Sequence, residues 1–311
     1  MLFLKYNYYS LSKVNINNES TFLGHKEAVY ALGQLSPDSF LSAGSDRMLV
    51  KWSYKNKNKG SLIARLAETV FTLQLNRSKD QCLCGTQNGN ILVLDLNKNK
   101  LIKHLQLNAG SVFDIKHFDD DNYILACGSG DLIIIDKNDF TIKSQISISN
   151  SNLRCINIFE KHIAVGCSDK SIYIINYEHL KVEKCLMGHE SSVFCLSSNH
   201  NGQLISGSRD AHLNLWSNEN TLPLQRIPAH NFTINSIALN PKRSYNLIAT
   251  ASRDKSIKIW DAENLQLLKV VHAQKQYSHQ RSVNNLLWLD DNYLISASDD
   301  KSLILWQIEL T

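Results

Sequence analysis

No window of the 311-residue chain holds the roughly 20 consecutive apolar residues that a membrane helix needs. The opening Met1-Leu-Phe-Leu-Lys-Tyr is too short an apolar run for a secretory signal, and no small-residue cleavage pattern follows it. Metal or redox cysteine spacing is also missing. The seven cysteines are odd in number and sit mostly in apolar, strand-like runs, and Cys82 and Cys84 are separated by one residue only. They read as reduced, buried thiols, which suits a cytoplasmic protein. Glycine-rich phosphate loops, Cys/His sets at metal spacing and an isolated carboxylate pair are likewise lacking. The expectation is therefore no metal, no cofactor and no catalytic residue. A net charge of +4 is too weak to point to nucleic acid without a clustered basic face. With 43% apolar and 20% charged residues, a sizeable core is available.

What the chain does contain is a repeat. The stretch Ile248-Ala-Thr-Ala-Ser-Arg-Asp254-Lys-Ser-Ile-Lys-Ile-Trp260-Asp alternates apolar and polar residues on both sides of a turn, the pattern of a β-hairpin. Sister strings end in Trp52, Trp216 and Trp306, each with an Asp six residues earlier. Leu94, Ile135 and Ile175 occupy the Trp place in three further units, giving steps of 42, 41, 40, 41, 44 and 46 residues. Such a period means stacked supersecondary units. Two apolar alternations precede the third strand of each unit and one follows it, so each unit supplies four short strands. Four-stranded units at this period close radially into a propeller, which protects most strand edges. The predicted fold is all-β, a single domain over residues 1–311 with seven four-stranded antiparallel blades.

The unit runs from Gly-His to Trp-Asp, as in Gly24-His25 and Gly188-His189, weakened to Ala229-His230 and Ser278-His279. From His to Trp the distances are 27, 27, 30 and 27 residues. On these residues the chain resembles the WD-repeat β-propeller family over essentially its whole length. The last unit has no outer strand of its own, and the family closes its ring with an N-terminal strand. Residues 16–23 are expected to do so here, with residues 1–12 left as an extra edge strand or a tail.

Ser42, Ser206, Thr250 and Ser296 stand four residues before the marker Asp in the four units that have both His and Trp. Where His and Trp are absent, the same place holds Cys84, Leu125 and Val165. The four residue types thus come and go as a set. An indole N–H only donates, a hydroxyl accepts and donates onward, and an imidazole bridges to a carboxylate. The resemblance implies four networks: His25, Ser42, Asp46 and Trp52; His189, Ser206, Asp210 and Trp216; His230, Thr250, Asp254 and Trp260; His279, Ser296, Asp300 and Trp306. A catalytic Ser-His-Asp triad would occur once, at an exposed nucleophile, whereas this set recurs four times inside hairpins. Blade three departs furthest, with Ser129 in the Asp place.

The resemblance also implies a binding face at the top of the ring, with two positions per blade pointing there. One ring is Ser45, Gln87, Gly128, Ser168, Arg209, Arg253 and Asp299; the other is Tyr30, Phe71, Phe113, Arg154, Phe194, Asn235 and Asn284. Arginines and aromatics are the residue types that anchor interfaces. A non-catalytic scaffold that binds a protein or peptide partner, acidic or phosphorylated, is the expected function, in a chain monomeric by itself. The alternative is an RNA-binding subunit of a larger assembly that uses the same arginines and aromatics. In the competing structural reading, each Arg pairs with an acidic neighbour and each Phe packs into its own blade. A longer connection between blades six and seven, 19 residues from Trp260 to His279, adds Tyr277 to the candidate face.

Overall fold

The computed structural model describes residues 14–55, 60–217, 219–272 and 278–310. The expected edge strand or tail at residues 1–12 and the loop residues Gln274, Lys275, Gln276 and Tyr277 lie outside the described residues.

Seven four-stranded antiparallel sheets follow one another round a ring. Blades one to six are consecutive meanders spanning residues 29–65, 70–106, 112–147, 153–186, 193–228 and 234–271. Blade seven combines residues 283–310 with the strand Val14–Phe22, which pairs antiparallel with Leu303–Leu310 from Val14↔Leu310 to Phe22↔Leu303. An N-terminal strand closes the ring as expected, starting two residues earlier than the sequence pattern indicated. Phe22 at its end packs edge-on against Phe40 and Trp52 of blade one, with ring centroids 5.5 and 5.6 Å away.

A single blade is too thin to bury its own faces. The apolar residues accordingly form seven clusters among the described residues, each shared by two neighbouring blades. The second strand of a blade is covered on both faces. In Leu247–Ser252 every residue is buried, and the small Ala249 and Ala251 share one face of the strand, which lets the next blade approach.

Two backbone devices recur in each blade. At the turn after the second strand, one residue lies in the left-handed region: Arg47, Gly89, Gly130, Lys170, Ala211, Lys255 and Lys301, with φ between 61° and 90°. In blades one and four to seven the preceding Asp stabilises that turn by accepting the N–H two residues on, as Asp254 Oδ1 does from Ser256 at 2.9 Å. Blade three keeps the same turn with Ser129-Gly130, where Ser129 Oγ donates to Asp131 Oδ2 at 2.7 Å. The second device is a register shift just after the first residue of each inner strand, falling at Tyr30, Phe71, Phe113, Arg154, Phe194, Asn235 and Asn284.

Gly130 needs its lack of a side chain, because a Cβ there would lie 1.8 Å from the Ser149 carbonyl oxygen. Ala211 occupies the same turn position at φ 66°, so an alanine is tolerated where space allows. Gly130→Ala should therefore cost about 2 kcal/mol in urea unfolding, while Lys255→Gly should be neutral or stabilising; equal effects would rule out the clash.

Candidate functional site at the channel mouth

The four sequence-defined His sets each form one hydrogen-bonded chain in the structure. In blade one, Trp52 Nε1 donates to Ser42 Oγ at 2.7 Å, Ser42 Oγ lies 2.7 Å from His25 Nε2, and His25 Nδ1 lies 2.9 Å from Asp46 Oδ2. The chain runs one way: the hydroxyl that accepts from the indole donates to Nε2, and the Nδ1–H faces the carboxylate. Corresponding contacts are 2.8, 2.7 and 2.9 Å through Ser206. They are 2.9, 2.8 and 2.9 Å through Thr250, and 2.8, 2.7 and 2.9 Å through Ser296. Each Asp also accepts the backbone N–H that follows its His, for example Asn231 N–H to Asp254 Oδ2 at 3.0 Å. One carboxylate therefore ties the incoming loop to the hairpin turn. The four hydroxyls are fully buried, where no substrate carbonyl reaches them.

Burial by itself would raise these carboxyl pKa values, but the imidazole and backbone N–H groups outweigh it. Asp46, Asp210, Asp254 and Asp300 are all held below the usual carboxylate range. At His230 burial pushes the imidazole pKa down and Asp254 offsets this only in part.

Blades two and four carry substitutes that the sequence reading passed over. Glu68 accepts from Thr86 Oγ1 and from Asn90 Nδ2, both at 2.5 Å, while Asp169 accepts from Ser149 Oγ at 2.7 Å and the Tyr173 hydroxyl at 2.8 Å. A carboxylate two residues before the inner strand, at Glu68, was the available signal.

At the mouth of the central channel, the bulges turn Tyr30, Phe71, Phe113, Arg154, Phe194, Asn235 and Asn284 toward one cavity of about 510 Å³. The other ring does not line it. Tyr30 meets Phe71 edge-on at 5.8 Å, and Phe71 stacks on Phe113 at 5.6 Å with the rings 8° from parallel. The Arg154 guanidinium continues the belt, its Cζ 4.1 Å from the Phe113 centroid and 5.2 Å from that of Phe194. Arg154 Nε donates to Ser168 Oγ at 2.8 Å, and Asn152 turns its amide oxygen to within 3.1 Å of Nη2. Burial lowers the Arg154 pKa, as does neighbouring Arg209 to a smaller degree.

The remaining ring members stitch blades together. Asn235 Nδ2 donates to the Val283 carbonyl at 2.8 Å; Asn284 Nδ2 donates to the Val29 carbonyl at 3.0 Å and to Asp299 Oδ1 at 2.7 Å. Arg209 and Arg253 are exposed beside their turns. Among the described residues, none of the three arginines has an ion-pair partner, contrary to the competing reading. The phenyl rings likewise stack between blades, not within one. Among the described residues, no group of three or more His, Cys, Asp or Glu could hold a metal, and no helix is long and apolar enough to cross a membrane.

The fold and its repeated polar brace define a WD-type propeller. The profile for WD40, "WD domain, G-beta repeat", matches residues 17–53, 180–217, 221–261 and 271–307, the four stretches that contain the His networks. The chain belongs to the WD-repeat β-propeller family. It is similar to the Nuclear distribution protein PAC1 of Candida dubliniensis, 34% identical over 110 residues, 34% of this chain and 21% of that one. It is also similar to Autophagy-related protein 16 of Arabidopsis thaliana, 22% identical over 72% of this chain and 44% of that protein. The chain thus spans less than half the length of these relatives. The WD40 β-propeller domain of Doa1 superposes with a TM-score of 0.83 at 18% identity, covering 94% of this chain and 97% of that one.

Asp254→Ala leaves His230 buried without its acceptor and should cost roughly 3 kcal/mol, read as a lower urea midpoint; an unchanged midpoint would remove the brace. Acid should act in two stages. With folded-state pKa values depressed, the stability contributed by His230 is present above its ordinary 6.5 and is lost as pH falls through its lowered value. That of the four Asp residues is present above about pH 4 and is lost as pH falls further. Unfolding midpoints measured from pH 7 to 3 should fall throughout, and a rise on acidification would refute the assignment.

Proposed function

We propose that the chain is a non-catalytic protein-interaction scaffold that captures a peptide or protein partner at the channel mouth, through an acidic or phosphorylated group. One observation carries this reading: Arg154 is half-buried, its guanidinium is faced by two aromatic rings, and it has no carboxylate partner among the described residues. A desolvated cation without a counter-charge gains most from an incoming anion. Arg209 and Arg253 stand on the next two blades, exposed and without an ion-pair partner among the described residues, and the Tyr30–Phe71–Phe113 belt offers apolar area beside them. Interfaces draw their affinity from this combination of aromatic and arginine anchors. Membership of the WD-repeat family supports a scaffold role. A cytoplasmic, monomeric chain fits this reading. Asn235, Asn284 and Asp299 would shape the mouth by holding its blades together, with Tyr30, Phe71, Phe113, Phe194, Arg154, Arg209 and Arg253 meeting the partner.

The test is capture of partners from native lysate by the wild type and by the Arg209→Glu/Arg253→Glu variant, followed by affinity measurement with the captured protein. Reversal of two interfacial charges should weaken binding about tenfold or more with an unchanged melting temperature. Unchanged affinity would move the site elsewhere. Capture of RNA, with affinity falling steeply as salt rises, would favour the nucleic-acid function instead.

A further inference from the structure

The channel has a second, chemically different end. Inner strands run from the mouth downward, so the ends of Val70–Leu75 and Val112–His117 and the turn between Leu75 and Gln81 meet at the lower face. There they enclose a cavity of about 360 Å³. Its wall includes Arg77, Lys79, Lys116 and His117, with Gln34 and Gln74 between them, and no Asp or Glu lines it.

Two of these cations, Arg77 and Lys116, have an acidic neighbour outside the lower cavity, and Lys79 has none among the described residues. Arg77 pairs with Asp120 at 2.6 Å, but both side chains are mostly exposed, at 66% and 82%, and such pairs contribute little and rearrange readily. Lys116 lies 3.3 Å from Asp114 Oδ1, a residue of the upper cavity whose other oxygen already accepts the Ile156 N–H. Lys79 is exposed and has no ion-pair partner among the described residues. Burial lowers the His117 pKa, and the nearby cations Lys137 and Arg77 lower it further; Lys137 is itself lowered by burial and Arg77 and raised in part by Asp119, Asp120 and Asp121.

We propose that this lower end of the channel, at blades one to three, binds a small polyanion bearing phosphate groups. Three cations border one cavity, Lys79 without a carboxylate and Arg77 and Lys116 in pairs that a polyanion of higher charge can displace. Arg77 supplies a fork that matches two phosphate oxygens, and Lys79 and Lys116 supply point charges from either side. The site is independent of the mouth, from which only Lys116, Leu32 and Leu73 are shared.

The probe is inorganic pyrophosphate, titrated calorimetrically into the full chain at constant ionic strength. Saturable binding is expected, together with a rise in the melting temperature. The His117 ring resonances should titrate at higher pH when pyrophosphate is bound, because an anion stabilises the imidazolium. Arg77→Glu/Lys79→Glu should weaken binding about tenfold or more, and the milder Lys79→Gln should weaken it less, whereas Arg209→Glu at the mouth should leave it intact. Absence of saturable binding, an equal effect from chloride, or unchanged affinity in both lower-face variants would overturn the proposal. Binding of a phosphoserine peptide but not of pyrophosphate would assign the phosphate to a protein chain and overturn the small-molecule site.

Discussion

Closure of the ring by the strand Val14–Phe22 against Leu303–Leu310 is the constraint on which the rest depends. Each blade buries its apolar residues only against its neighbours, so an open array would leave two sheet faces in water. Pairing the two ends of the chain converts six interfaces into seven, and the Phe22–Phe40–Trp52 contact shows the closing strand belonging as much to blade one as to blade seven. Propeller stability is therefore a property of the circle, and blades two to four can do without the full His network because both their faces remain packed.

The polar braces act at a smaller scale. A single Asp in each of four blades holds a left-handed turn, receives a loop N–H and orients an imidazole, and the imidazole in turn holds a hydroxyl that satisfies a buried indole. Removal of any one group strands its neighbours, since the indole, hydroxyl and imidazole are all buried. Such braces leave the residues just beside them, Arg209 and Arg253, free to face outward from rigid turns. The same logic applies at the bulges: an extra residue in each inner strand costs a ladder position and in exchange directs one side chain per blade into the channel.

Charge divides the channel. At the mouth, one desolvated guanidinium lies in an aromatic belt, which is the basis of the proposal that an acidic partner docks there. At the lower end, exposed cations surround a cavity without carboxylates, a setting suited to a compact polyanion. The two proposed sites are compatible on one ring with fixed inner strands, because neither requires the blades to move.

Much of this was legible in the sequence because its determinants are local. The 40 to 46 residue period, the hairpin pattern and the His, Ser/Thr, Asp and Trp sets all lie within one repeat, where hydrogen-bond chemistry and strand periodicity suffice to place them. The replacements in blades two and four were harder, since Glu68, Thr86 and Asn90 share chemistry with the His sets but not spacing. What only the tertiary structure decided lies between repeats. Phe113, Arg154 and Phe194 are about forty residues apart, and whether Arg154 meets an acid, its own blade or two phenyl rings depends on the bulge geometry and the angle between blades. Those quantities are set by the packing of whole sheets around a closed ring, which no single stretch of sequence encodes.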